Sequence, residues 1–250
     1  MVKIASLKER EEFYKKEFDI TEVKKWFNEN KIKPQFFIID PGSDSKISKY
    51  KSKGLIILRP NINYKELREK LIKYLPEDVY YDRNIYKNPS LYIEKGNLKK
   101  KFSNSITDNN WLGQELVFDV DLDNLKCNLC KGKGFCSNCL HDALKDAIKI
   151  KEILNRKYKK VVIVYSGRGF HVHVRDKSAY KLTPKQRARL NTKFRKYAID
   201  PWVSKGYTRL IRLPYSLHGL VSRIVIPLNE KERKKFKENN KKFMPKFLSR

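Results

Sequence analysis

Between Gln114 and Asp123 the sequence reads Gln-Glu-Leu-Val-Phe-Asp-Val-Asp-Leu-Asp, an apolar run into which carboxylates enter at every second position. A period of two is the pattern of a strand, whose residues i, i+2 and i+4 line one face. Val117 to Leu122 is therefore expected to be a strand with Asp119 and Asp121 pointing the same way. Carboxylates held that close repel and raise each other's pKa unless a divalent cation neutralises them. Oxygen ligands of this hardness suit Mg²⁺ or Mn²⁺, ions that drive in-line phosphoryl and nucleotidyl transfer in pairs. The bland alternative is an exposed strand end with solvated acids, since Asp-x-Asp alone is a short and common pattern.

Directly after Asp123, the pattern Cys127-x2-Cys130-x5-Cys136-x2-Cys139 uses all four cysteines of the chain. Paired Cys-x-x-Cys steps on Gly- and Lys-rich turns are the geometry of a closed tetrahedral zinc site. With no ligand position left for substrate, such a Zn²⁺ is structural. Disulfides are the alternative, and His141 is positioned to replace one cysteine. A Lys-rich helix is expected from Asp142 to Tyr158, burying Leu144, Ala147, Ile148 and Ile153.

Charge sets the class of partner. Lys plus Arg number 57 against 28 Asp plus Glu, a net +29 on 250 residues, which points to a polyanion and foremost to nucleic acid. An anionic membrane surface, or a proteome rich in Lys and Ile, are the other sources of such charge. No apolar run approaches the length of a membrane span and the N-terminus has no signal-peptide pattern, so a soluble, intracellular protein with no membrane partner is expected. The length allows one or two domains.

Residues 1–33 show helical spacing of Leu7, Phe13, Phe18, Val23, Trp26 and Phe27, with Thr21 as N-cap of the second of two helices. Strands are expected at Phe36 to Asp40 and Gly54 to Leu58, a helix at Tyr64 to Leu75, and a strand with a loop within Val79 to Tyr92. Val161 to Tyr165 is a buried strand by its β-branched run, and it enters Ser166-Gly167-Arg168-Gly169-Phe170-His171. Two glycines there allow a tight turn with exposed N–H groups, while Ser166, Arg168 and His171 add donors suited to phosphate oxygens. His171 and His173 share a strand face, so a metal pair or hydrogen-bonded core histidines compete with that reading. Thr183-Pro184 is an N-cap and N1 pair for a helix through Tyr197. Asp200 follows as a lone acid at a strand edge within Ile199 to Val203, and Arg212, Ser216 and His218 repeat the donor inventory of the earlier turn. Ser222 to Leu228 is a last strand. Asn229 to Arg250 is read as a solvated basic tail: helical, disordered, or part of a linker.

Taken in order, Glu115 to Asp121, the adjoining Cys cluster, Ser166 to His171 and Arg209 to Gly219 resemble the catalytic (small) subunit of archaeal and eukaryotic DNA primases, in a reduced form. The resemblance covers roughly residues 30–228. It implies an α/β (α+β) primase-polymerase core with an RRM-like sheet carrying the acids, occupying residues 1–228 with a zinc knuckle at 124–142 inside it and a tail at 229–250. Asp119, Asp121 and Asp200 match the family's three catalytic metal-binding acids; Ser166, Arg168 and His171 match its triphosphate motif, and His218 a second phosphate contact. Arg59 resembles an arginine the family uses near the nucleotide, and Arg212 lies within the last motif. The implied activity is a nucleotidyltransferase making short RNA or DNA primers on single-stranded DNA during replication. Its substrates are NTPs or dNTPs, its cofactors two Mg²⁺ or Mn²⁺ ions and a structural Zn²⁺. Its partner is a large subunit or a fused iron-sulfur domain. The compartment is the archaeal cytoplasm, or the nucleus in a eukaryote.

The chain departs from the family pattern at three places. Only 28 residues separate His171 from Asp200, room for about one helix where the family has a helical insertion. Pro34-Gln35-Phe36 stands where Arg-Glu-Phe is usual, and Leu220 where a Lys follows the final His, with Arg223 a candidate replacement. A primase-polymerase that extends primers or fills gaps, and a non-catalytic zinc-containing DNA-binding module, are the competing functions.

Overall fold

The protein is described from a computed structural model covering residues 3–29, 33–42, 44, 54–94, 97–98, 109–125, 135–206 and 210–249. In chain order the elements are α1 (Leu7–Lys16), α2 (Ile20–Glu29), β1 (Phe37–Asp40), β2 (Ile56–Ile57), α3 (Tyr64–Tyr74), β3 (Asp78–Asp82), β4 (Asn84–Tyr86), β5 (Ile93–Glu94) and β6 (Asn97–Leu98). Next come β7 (Trp111–Gln114), β8 (Leu116–Asp121), α4 (Ser137–Asn155), β9 (Val161–Tyr165), β10 (Gly169–Val174), α5 (Lys177–Tyr180), α6 (Pro184–Lys193) and α7 (Pro201–Lys205). The chain closes with β11 (Leu210–Arg212), β12 (Leu217–His218), β13 (Arg223–Ile224), β14 (Ile226–Leu228) and α8 (Glu230–Lys234).

Two antiparallel four-stranded sheets carry the molecule, one ordered β11-β3-β1-β2 and the other β14-β9-β10-β8. In the second sheet β8, α4 and β9 form a β-α-β unit whose two strands are separated by β10. Strand alternation then sorts the side chains. Leu116, Phe118 and Val120 of β8 and Phe170, Val172 and Val174 of β10 join one core cluster with Leu140, Ala143, Leu144, Ala147, Ile150 and Leu154 of α4. Those α4 positions recur at three- and four-residue steps, one apolar stripe of a helix. Val117 faces the other way, into a core shared with α1 to α3 and the first sheet. Glu115, Asp119 and Asp121 have the same strand parity as Val117.

Several boundaries differ from expectation for local physical reasons. Thr21 does not cap α2; the Asp19 carboxylate accepts the Thr21 N–H at 2.7 Å and opens the helix two residues earlier. α4 begins at Ser137 because Cys136 has the extended backbone of an N-cap. α6 has its expected Thr183-Pro184 start, where Thr183 and Gln186 bond reciprocally, but it ends at Lys193 with Phe194 turned into the core. The span from His171 to Asp200 therefore holds two short helices, α5 and α6. Ser222 to Leu228 is broken into β13 and β14: Ser222 takes φ +51°, and the Val225 N–H bonds to the Ser216 carbonyl at 2.9 Å.

The stretch after Leu228 is not a solvated tail. Asn229 and Glu232 cap α8 reciprocally, and Phe236, Phe243 and Phe247 are 6%, 1% and 6% exposed. Phe236 and Phe243 stack at 5.3 Å against Tyr165, and Phe247 joins the other core. Burying each ring stabilises the fold by about 1.5–3 kcal/mol. The density of lysines between the rings hid this pattern in the sequence. Among the described residues no helix is long and apolar enough to cross a membrane.

Candidate active site

Register brings the acids and the Ser166 to His171 turn together. β10 runs antiparallel to β8 with His171 opposite Asp119 and Gly169 opposite Asp121. The His171 Nε2 lies 3.6 Å from Asp119 Oδ1. A Cβ on Gly169 would meet the Val120 carbonyl oxygen at 2.3 Å, so the close approach of the two strands requires glycine here.

Asp200 reaches the same place from far along the chain. Val120 pairs with Ile199 in an isolated antiparallel bridge, the Asp200 N–H donates to the Asp119 carbonyl at 2.8 Å, and the Asp121 N–H to the Ala198 carbonyl at 3.2 Å. Asp200 is thus not at the edge of a regular strand. It is the N-cap of α7, its carboxylate accepting the Trp202 N–H at 2.8 Å.

The electrostatics follow. Burial, then the charges of Asp121 and Asp200, push the Asp119 carboxyl up to about 8. Asp121 is raised too, first by burial, with Asp123 and Asp200 adding to it. Clustered carboxylates that resist ionisation together are a donor set suited to a hard divalent cation. The acids as they stand are looser than a ligand shell: among the described residues no group of three or more His, Cys, Asp or Glu side chains is arranged to hold a metal ion.

Around the acids, Gly167 adopts φ +98°, and a Cβ there would stand 2.7 Å from His218 Cβ, so the tight turn and the last motif are in contact. Ser166 shapes this turn: its hydroxyl accepts the Gly169 N–H at 3.1 Å. Arg168 pairs with Asp123 and sits 4.0 Å from Asp121. Burial, followed by nearby charged or polar groups, holds His171 and His218 well below the usual histidine range. Both are neutral imidazoles, able to offer a hydrogen bond to an oxyanion.

Two expected nucleotide contacts are engaged elsewhere. Arg212 pairs with Asp78, and the same Asp78 oxygen accepts the Gly219 N–H at 2.7 Å. Burial lowers the Arg212 guanidinium to about 10. Arg212 therefore braces the loop that carries His218. Arg59 is exposed and paired with Glu66 at the end of β2, the edge of the first sheet opposite β11.

The profile of the family described as DNA primase small subunit matches residues 118–198. A DNA primase small subunit-like protein of Archaeoglobus fulgidus is 38% identical, over 98% of this chain and 91% of its own length. The chain belongs to the DNA primase small subunit family. Among other relatives, the small subunit PriS of Pyrobaculum arsenaticum is 28% identical over 70% of this chain and 67% of its own. That of Pyrococcus abyssi is 30% identical over 83% and 58%. The polymerase domain of Mycobacterium tuberculosis ligase D, solved in complex with DNA, superposes with a TM-score of 0.57 over 94% of this chain and 86% of that one, at 12% identity. The likeness shows that the fold is of the primase-polymerase type, as the sequence resemblance implied.

Of the cysteines in this primase-family chain, Cys127 and Cys130 lie outside the described residues. Cys136 caps α4 and Cys139 is buried against its core, with no disulfide between them. His141 is engaged by the Ser137 carbonyl at 2.9 Å from Nδ1 and packs edge-on to Phe236. The zinc knuckle remains a sequence expectation.

Sequence reasoning missed a charged cluster between the sheets. Glu115 is fully buried; its Oε1 lies 2.9 Å from His173 Nδ1 and 3.0 Å from Arg175 Nε, and its Oε2 accepts the Tyr81 hydroxyl at 2.7 Å. Arg83 donates to the Glu115 and Val203 carbonyls at 3.0 and 3.2 Å, and Arg187 reaches the Gln114 and Leu182 carbonyls. His173, with Trp26 edge-on at 5.7 Å, is thus a hydrogen-bonded core histidine. Its sequence signal was the shared parity of 115 and 173 with the site face. Arg187 gave none, sitting in a helix rich in surface cations.

Proposed function

We propose that this chain is a nucleotidyltransferase that synthesises primers on a single-stranded DNA template. The observation that carries the reading is the convergence of Asp119, Asp121 and Asp200 opposite the His171 and His218 imidazoles, assembled from three separated segments. Asp119, Asp121 and Asp200 would hold Mg²⁺ or Mn²⁺, which when bound supplies charge neutralisation for the attacking 3′-hydroxyl and the leaving pyrophosphate. Arg168 would exchange Asp123 for a triphosphate oxygen, while neutral His171 and His218 donate hydrogen bonds to the same group. Ser166 and Gly169 fix the turn that presents them, and Arg212 fixes the His218 loop. Catalysis would then come from positioning and from charge already in place. NTPs or dNTPs are the substrates, and a large subunit or a fused iron-sulfur domain is the partner. The net +29 would hold template phosphates, with affinity falling as salt rises.

The test is incorporation of labelled ATP and dNTPs on single-stranded DNA, with and without a supplied primer, in Mg²⁺ and in Mn²⁺. Products without a primer are expected, and Asp121→Asn should abolish them with the fold intact. Extension confined to a supplied primer would instead support the gap-filling reading, and an inactive chain that still binds DNA the non-catalytic one.

A further inference from the structure

One guanidinium touches both segments that carry the acids. Arg83, 2% exposed, sits between β3 and β4, where the Asp82 carboxylate accepts the Asn84 N–H at 2.8 Å and turns the chain. Its Nη1 donates to the Glu115 carbonyl at 3.0 Å and its Nη2 to the Val203 carbonyl at 3.2 Å. Its own carbonyl accepts the Glu115 N–H at 2.9 Å, so the residue that leads into β8 is gripped on both of its backbone polar groups. β8 carries Asp119 and Asp121, and α7, which contains Val203, is capped by Asp200.

α7 needs a brace from outside. It has five residues, and so short a helix does not hold its own direction in water. Helix ends also leave carbonyls without a partner one turn on, and here buried side chains take them: Arg83 bonds the Val203 carbonyl, and Gln114 that of Gly206 at 3.1 Å. Asn191 holds the Ser204 hydroxyl from α6. Gln114 and Asn191 steady the helix, but Arg83 joins it to the start of β8 with one rigid, planar fork. The Arg83 charge reaches the acids too: burial, then Asp121 and Asp200, raise the Asp119 carboxyl, and Arg83 pulls it the other way. By charge alone a guanidinium in electrostatic reach of a cation site weakens that site, so whatever Arg83 adds to cation binding must come through geometry.

Resting on the function proposed above, we infer that Arg83 is a positioning residue for the metal-binding acids: by holding α7 and the start of β8 in one fork, it sets where Asp200 stands relative to Asp119 and Asp121. The test is calorimetric titration of Mn²⁺ into the full chain, Arg83→Met and Arg83→Lys, with amide hydrogen exchange measured on the metal-free proteins. Thermal melts identify the folded variants, and Arg83→Lys, which keeps the charge and one donor, serves if Arg83→Met does not fold. Arg83→Met should bind Mn²⁺ about tenfold more weakly than the parent, a usual cost of losing an outer partner of a metal site, with Arg83→Lys in between. The Ser204 and Gly206 amides should exchange faster in both variants relative to those of β9. A purely electrostatic Arg83 predicts the opposite sign, tighter Mn²⁺ binding by Arg83→Met. That result overturns the inference, as does a folded variant with unchanged Mn²⁺ affinity and unchanged α7 exchange, or a parent that binds no Mn²⁺. A parent that binds Mn²⁺ but incorporates no nucleotide, with both variants weakened, supports the brace and sinks the primase reading alone.

Discussion

His173 Nδ1 lies 2.9 Å from Glu115 Oε1, and both side chains are fully buried. Burial by itself would raise the Glu115 carboxyl, but Arg175 and His173 outweigh it and hold it down at about 2. Burial keeps His173 below the usual histidine range, so its Nδ1–H donates to an ionised carboxylate and Arg175 carries the countercharge.

The pH dependence of stability follows from that pair. Between the ordinary glutamate value and about 2 the unfolded chain binds a proton that the native Glu115 does not, so stability rises with pH through that window and is lost as pH falls through it. Glu115→Gln is expected to cost about 3–5 kcal/mol at neutral pH, by leaving Arg175 buried without its countercharge, and to flatten the acid limb. Urea unfolding across the acid range checks this; parallel acid limbs for parent and variant would refute the ionised state.

The crowding of Asp119, Asp121 and Asp200 sets stability against function. In metal-free buffer at neutral pH Asp119→Asn is expected to be more stable than the parent by about 1–2 kcal/mol, because the amide folds into the crowded site without taking up the proton that the Asp119 carboxyl must bind there. Adding Mn²⁺ should raise the melting temperature of the parent well above its effect on the variant. Calorimetry on both proteins is the check, and equal Mn²⁺ shifts would remove Asp119 from the ligand set.

Asp78 braces a site it does not line. Asp78→Ala frees both Arg212 and the Gly219 N–H, and is expected to destabilise the chain by about 2–4 kcal/mol. By loosening the His218 loop it should also raise KM for nucleotide about tenfold with a smaller change in kcat. Asp78→Asn, which retains an acceptor for Gly219, should keep more of the nucleotide affinity. Steady-state kinetics decide; an unaltered KM in Asp78→Ala would confine the brace to folding.

The aromatic stack of the last segment makes that segment part of the core. Phe236→Ala and Phe243→Ala are each expected to cost about 3–5 kcal/mol, and the pair less than the sum, since the two rings touch. Denaturant unfolding of the single and double variants measures this. Costs near zero would return the segment to solvent.

Legibility in the sequence was uneven, and the unevenness has a cause. Asp119 and Asp121 were readable because strand parity is a local property: whatever the fold, i and i+2 share a face. The Ser166 to His171 turn was readable because its glycines answer local needs, a positive φ at Gly167 and a strand approach at Gly169 that leaves no room for a Cβ. The three phenylalanines after Leu228 were not, because lysine density masked their spacing. Arg168 and Arg212 were readable as donors but not in their partners, Asp123 and Asp78.

The sequence by itself thus determined that Asp119 and Asp121 share one strand face, that a donor-rich glycine turn follows the buried strand β9, and the sign of the charge that surrounds them. Tertiary structure alone decided that Asp200 joins Asp119 through the Val120 and Ile199 bridge, that Glu115, His173 and Arg175 meet between the sheets, and that Trp202 faces water. Local patterns follow from backbone geometry at fixed spacing. Contacts across long stretches of chain depend on which surfaces pack, and buried charges then pair with whatever that packing places beside them.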